Sequence, residues 1–144
     1  AADRTQASNN RVAPDKSVPA VHKELKGSKM TKVTIITNQT KFNQLETALV
    51  KLGVTGLTIS NVFGYGAQKG HKASFRGAPM ETRLLPKVKV DVVVCKIPVD
   101  TLVNTVQKVL CTGNVGDGKI FVYDVEDVVK VRTNEHGYDA LQDE

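Results

Sequence analysis

The stretch KVKVDVVVCKI, residues 87–97, decides the fold. Val88, Val90, Val92 and Val94 fall on one side and Lys87, Lys89 and Asp91 on the other, until Val93 and Cys95 follow. That is the period-two pattern of a strand with one buried face, built from the β-branched residues that pack well on a pleated surface. Pro98 comes directly afterwards at a favoured helix-start position. From there Val99, Leu102, Val103, Val106, Val109 and Leu110 recur at helical spacing, and Gly113 supplies a stop. A strand therefore feeds directly into an amphipathic helix.

Upstream, the strand is expected to begin near Leu84, at the end of the long polar stretch GYGAQKGHKASFRGAPMETRLLP, residues 64–86. Another strand is expected from about Leu57 to Phe63, and before it Phe42, Leu45, Ala48, Leu49 and Leu52 mark an amphipathic helix over 41–52, closed by Gly53. The alternating, β-branched KVTIIT, residues 32–37, opens the series as a strand. Downstream, GNVGDGK leads into KIFVYDV, a strand from Lys119, and a last extended piece is expected over 128–132 before a polar tail. The order β-α-β-β-α-β predicts an α+β, ferredoxin-like sandwich: one antiparallel sheet with both helices on one face. The apolar runs VDVVVC and IFVYDV suggest that the other face is buried too, and since the chain has no further helix to cover it, self-association is expected.

At 144 residues and 15.6 kDa the chain suits one domain, expected over 30–133, with a disordered arm at 1–29 and a C-terminal tail at 134–144. The arm shows no sustained period and is rich in Ala, Ser, Asn and Pro. Met30 reads as a native start; the arm is then an alternative leader, and otherwise a natural extension or the remnant of an organellar targeting segment. Of the formal charge of +5, the arm holds +3, and the rest carries no basic stripe with interleaved aromatics. No apolar run approaches the ~18–20 residues of a membrane span, so the reading is cytoplasmic and not membrane-inserted, or organellar if the arm is a transit remnant. Cys95 and Cys111 lack metal-ligand spacing and read as core thiols in a reducing compartment.

Three stretches carry candidate chemistry. Residues 64–70, GYGAQKG, open the long connection with glycines that permit close backbone approach. Residues 113–119, GNVGDGK, can turn backbone N–H groups inward as an anion nest beside a lysine, although Walker spacing is missing. Lys130 and Arg132 would present two cations on one strand face, suited to phosphate. Together they resemble a polyphosphate cradle, whereas each alone is a weak signal, since a glycine-rich turn before a strand is more often just a turn. Connections as long as 64–86 usually carry function or disorder, and Lys69, His71, Lys72, Arg76 and Arg83 outnumber Glu81 there, as an anionic ligand or partner would require. The histidines, His22, His71 and His136, fall in expected loops or tails, and no nucleophile-base pair stands out, so no catalytic residue is assigned.

GYGAQKGHKASFRGAP, then LPKVKVDVVV, then TGNVGDGKIFVYDVEDVVKVRT closely resemble the PII nitrogen-signalling family at matching spacing, from about Met30 to Thr133. The resemblance implies a homotrimer of ferredoxin-like subunits with sheets facing inward and adenine nucleotide, ATP or ADP, in the clefts between subunits. It would put Ile36, Thr58 and Val93 around adenine, and Gly66, Gln68, Gly116, Asp117, Gly118 and Lys119 around ribose and phosphates. Lys130 and Arg132 would reach the phosphates from the neighbouring subunit. It implies that Gln68 helps to bind 2-oxoglutarate through magnesium and ATP, with Lys69 at the same loop base and Lys87 pairing with the carboxylate. The long connection corresponds to the family's T-loop, whose Lys72, Phe75, Arg76, Met80 and Arg83 would meet a membrane transporter or metabolic enzyme.

The departures are specific. Ala67 replaces the family's usual arginine, Lys130 replaces the first strand arginine and loses fork geometry, and Asn38-Gln39 stands where Lys-Pro is common. Met80 and Ala78 stand where relatives carry a modifiable tyrosine or serine, so control is expected through ligand occupancy rather than modification at those two positions. The reading is a non-enzymatic nucleotide sensor in nitrogen metabolism. Its alternatives are a PII-like nucleotide sensor without a 2-oxoglutarate response, or a basic nucleic-acid-binding ferredoxin-like module, disfavoured because sheet aromatics are not expected.

Overall fold

In a computed structural model of the chain, residues 29–67 and 82–142 are described. Residues 1–28 of the expected arm, and with them Gln68, Lys69, Lys72, Phe75, Arg76 and Met80, lie outside the described residues.

Four strands form one antiparallel sheet in the order β2-β3-β1-β4: β1 Met30–Asn38, β2 Thr58–Ala67, β3 Thr82–Val94 and β4 Lys119–Val125. Helix α1, Phe42–Lys51, follows a 3-10 turn at Gln39–Lys41, and helix α2, Val99–Leu110, takes Pro98 as its N-cap. This is the ferredoxin-like arrangement that the order of elements predicts. The core lies between the helices and one sheet face, where Val33 and Ile35 of β1 and Val88, Val90, Val92 and Val94 of β3 meet Leu45 and Leu49 of α1 and Leu102, Val106 and Leu110 of α2. At the end of α1, Gly53 N donates to Val50 O at 3.0 Å and Val54 N to Leu49 O at 3.1 Å. This Schellman pairing closes the helix and turns the buried Val54 back into the core.

The ladder between β2 and β3 runs well past the expected strand ends. Gly64, Tyr65 and Gly66 pair with Leu85, Leu84 and Arg83, so both margins of the expected loop are strand. Pro86 is tolerated because the β1 ladder stops at the Asn38–Lys87 pair, so a missing N–H one residue beyond it breaks no bond to β1.

The expected extended piece at 128–132 is corrected as well. Val129 makes a single bridge to His136, and 131–133 form a turn closed by Asn134 N donating to Lys130 O at 2.8 Å. Lys130 and Arg132 therefore do not share a strand face. Beyond the turn, Gly137–Leu141 coil into a 3-10 turn.

The open sheet face is less apolar than its sequence runs suggest, because alternation sends the four core valines of β3 to the helix side. Register puts Lys87, Lys89 and Asp91 on the open face opposite Asn38, Ile36 and Thr34. Asp91, 17% exposed, accepts from Thr34 Oγ1 at 2.5 Å and has Lys32 and Lys89 ammonium groups at 3.8 and 3.9 Å. Two aromatic side chains do stand on this face, Phe121 and Tyr123 of edge strand β4, paired with Thr34 and Lys32, which corrects the expectation of a sheet without them. They are 39% and 50% exposed. Cys95 is half-buried and Cys111 exposed, so only the first resembles a core thiol; burial raises the Cys95 pKa.

Candidate functional site: a glycine loop and a groove on one sheet face

The loop between α2 and β4 is held from inside and from below. Asp117 turns its carboxylate back into the loop, where it accepts from Thr112 N at 2.8 Å, Gly113 N at 3.0 Å and the Thr112 hydroxyl. These donors favour the ionised form, the Thr112 hydroxyl most, and hold the carboxyl below its usual range. From below, the buried Thr37 donates its hydroxyl to Asp117 O at 2.8 Å, and Asn38 Nδ2 donates to Gly116 O at 3.1 Å. Gly118 lies so close to β1 that a Cβ there would stand 2.1 Å from Ile36 O. The site residues named from sequence therefore divide their work: Asp117 shapes the loop, Gly118 permits its contact with β1, and Lys119 pairs with Ile36 at the start of β4.

Lys87 joins this group from β3. Its ammonium donates to Asn38 Oδ1 at 2.6 Å and to Gly116 O at 3.2 Å, and its stem runs beside Gly64, where a Cβ would come within 3.3 Å of Lys87 Cγ. Gly66 follows on β2 opposite Arg83. The loop brings several backbone amides and the exposed Lys119 together with the held ammonium of Lys87 from β3, a composition suited to an anionic ligand.

A second feature lies towards the other end of the same face. A groove of about 860 Å³ is lined by Lys32, Thr58, Asp91 and Val93, by the turn 53–57, by 94–97, and by Tyr138, Leu141 and Gln142. It brings together Thr58 and Val93 but not Ile36. Val93 pairs with Lys32, four residues along β1 from Ile36, a separation of about 13 Å at strand rise. The three residues expected around adenine are thus split in a single chain. Lys130 is tied to one of the lining residues, its ammonium donating to Gln142 O at 2.8 Å. His136 Nδ1 and Asp127 Oδ2 lie 2.7 Å apart beside the same turn, and this hydrogen bond is the main cause of the lowered Asp127 pKa. Sequence reading passed over Thr37 and Thr112. The signal for Thr112 was present: a threonine five residues before an aspartate, across glycines, is a local side-chain-to-backbone closure.

Among the described residues no group of three or more His, Cys, Asp or Glu side chains could hold a metal, and no helix is long and apolar enough to cross a membrane.

The family model for nitrogen regulatory protein P-II matches residues 30–135. The nitrogen regulatory PII-like protein of Bacillus subtilis (strain 168) is 46% identical over 112 residues, covering 78% of this chain and 97% of the relative. Nitrogen regulatory protein P-II 1 of Escherichia coli (strain K12) is 44% identical over 112 residues, covering 78% and 100%. Among solved structures, B. subtilis GlnK superposes with a TM-score of 0.66 at 45% identity, over 78% of this chain and 99% of GlnK. A B. subtilis GlnK-ATP complex gives 0.65 at 42% identity, over 78% and 95%. Arabidopsis thaliana PII bound to citrate gives 0.63 at 39%, over 78% and 92%. With a family model spanning more than half its length and relatives above 40% identity, the chain belongs to the nitrogen regulatory protein P-II family.

Proposed function

We propose that this protein is a signalling subunit that binds adenine nucleotide between copies of itself and regulates a membrane transporter or metabolic enzyme through residues 64–86, by binding rather than by catalysis. The observation that carries this reading is the division of the candidate residues into two groups on one sheet face, Ile36 with the 113–119 loop and Thr58 with Val93. About 13 Å separates Ile36 from the position opposite Val93, so one base meets both groups only if a second copy supplies the other half. The B. subtilis GlnK-ATP complex supports adenine nucleotide as the ligand. In a homotrimer, each cleft would combine one protomer's loop and Lys119 with the groove, Lys130 and Arg132 of the next. A magnesium ion arriving with ATP takes most of its ligands from phosphate and water, with Gln68 as the proposed protein contact. The T-loop residues Lys72, Phe75, Arg76, Met80 and Arg83 would meet the partner.

Calorimetric titration with ATP, ADP and AMP, with and without magnesium, tests the reading. Saturable binding at one site per protomer is expected, in a species of three times the 15.6 kDa chain mass. Lys119→Ala should weaken ATP by roughly 1.5–3 kcal/mol, the scale of a charged hydrogen bond. No binding of any adenine nucleotide would refute it.

A second reading, a nucleotide sensor that does not answer to 2-oxoglutarate, is favoured by one contact. Lys87, the proposed partner of that ligand's carboxylate together with Gln68 and Lys69, already donates to Asn38 Oδ1 and Gly116 O. Titrating 2-oxoglutarate into the Mg-ATP complex separates the two: heat of binding supports the first reading, and none supports the second.

A further inference from the structure

Asn38 ends β1 and makes both of its side-chain contacts to groups that belong to other elements of the site. Its amide N–H reaches Gly116 O at 3.1 Å, 78 residues away, while its Oδ1 accepts from Lys87 Nζ at 2.6 Å, 49 residues away. Lys87 Nζ also donates to Gly116 O at 3.2 Å, so amide, ammonium and carbonyl close a ring. An asparagine can do this because it offers donor and acceptor on one short planar group. The ring has two consequences. The carbonyl of residue 116 is turned down towards β1, and the Lys87 ammonium, which has three donors, is held at the loop with two of them engaged among the described residues.

Resting on the nucleotide reading above, we propose that Asn38 is a positioning residue for phosphate: acting through Lys87 and the residue-116 carbonyl, it sets the loop and ammonium geometry that distinguishes ligands by the number of their phosphates. A free lysine would still supply charge, but it would sample many rotamers, and the energy of a fixed ammonium grows with the anionic charge it faces. ATP therefore depends on Asn38 more than AMP does. Removing the amide takes away the shorter of the two Lys87 contacts and leaves the loop with the Thr37–Asp117 contact as its remaining side-chain tie to β1 among the contacts described above.

The experiment measures ATP and AMP binding by calorimetry on the full chain for wild type, Asn38→Ala, Lys87→Met and the double variant, with thermal melting as a check on folding. For Asn38→Ala we expect about tenfold weaker ATP binding, less than threefold weaker AMP binding and a melting temperature lowered by no more than a few degrees, as the loss of exposed or part-buried hydrogen bonds implies. The double variant should lose less ATP affinity than the sum of the two single losses, since the asparagine acts in part through the lysine. Should Asn38→Ala fold poorly, Asn38→Ser serves: it stays polar and uncharged, so no added carboxylate repels phosphate, and its single hydroxyl is too short to hold Lys87 and Gly116 O together, so again ATP should suffer more than AMP. Equal losses for the two ligands, additive losses in the double variant, or unchanged ATP binding would each overturn the role of Asn38 while leaving the nucleotide reading standing. Failure of the wild type to bind ATP would remove both.

Discussion

Replacing Gly118 by alanine tests the closest approach in the molecule. The added Cβ would stand 2.1 Å from Ile36 O, 3.0 Å from Thr37 Cα and 3.1 Å from Ile36 C, all backbone atoms of β1 that no rotamer change can move. The residue also has φ +114°, where a side chain is strained whatever the space. The conformational term is of order 1–3 kcal/mol. Relieving the collision requires the loop to leave β1. That breaks the Thr37 Oγ1–Asp117 O and Asn38 Nδ2–Gly116 O hydrogen bonds, at roughly 0.5–1.5 kcal/mol each. The expected destabilisation is therefore about 2–6 kcal/mol. Gly113→Ala is the control: φ is +81° in the same loop, but nothing lies within 4 Å of its Cβ, so only the conformational term applies. Urea unfolding of both variants and wild type, at one protomer concentration so that assembly does not shift the midpoints, reads the difference. If Gly118→Ala unfolds within 0.5 kcal/mol of Gly113→Ala, the loop is not seated on β1 as described.

Two further outcomes follow from the core and from the acidic groups. Leu102→Ala, in a fully buried α2 position facing the sheet, should cost about 2–5 kcal/mol in urea unfolding, whereas Gln107→Ala on the exposed side of the same helix should stay within about 0.5 kcal/mol. Asp117 and Asp127 are both held below the ordinary carboxylate value in the folded chain, chiefly by the Thr112 and His136 hydrogen bonds. Their contribution is therefore complete above that value and is lost as pH falls through the lower folded values. Thr112→Val removes the largest cause at Asp117 and should flatten the loss of stability in that acid window. An unchanged acid limb would contradict the assignment.

The alternation of Val88 to Val94 and the helical spacing of Leu102, Val106 and Leu110 were legible because each element's own period matches the face it buries. What escaped reading is decided by pairing across long separations. Gly64 to Gly66 look like a loop on local grounds, yet β3 lies across from them and supplies a ladder that outweighs their poor strand propensity. Val128 to Arg132 show the reverse case: β-branched alternation with no continuous partner, so that the segment is left with one bridge and a turn. The site obeys the same logic. Glycines and lysines at 113–119 announced an anion loop, but the carboxylate of Asp117 is directed inward at Thr112, and the ammonium that meets the loop comes from β3 through Asn38. Composition revealed which groups suit phosphate; only the register of β1 against β3 and β4 determines which of them stand together. The same register separates Ile36 from Val93 by four residues of strand, and that spacing makes a second copy of the chain part of the binding chemistry proposed here.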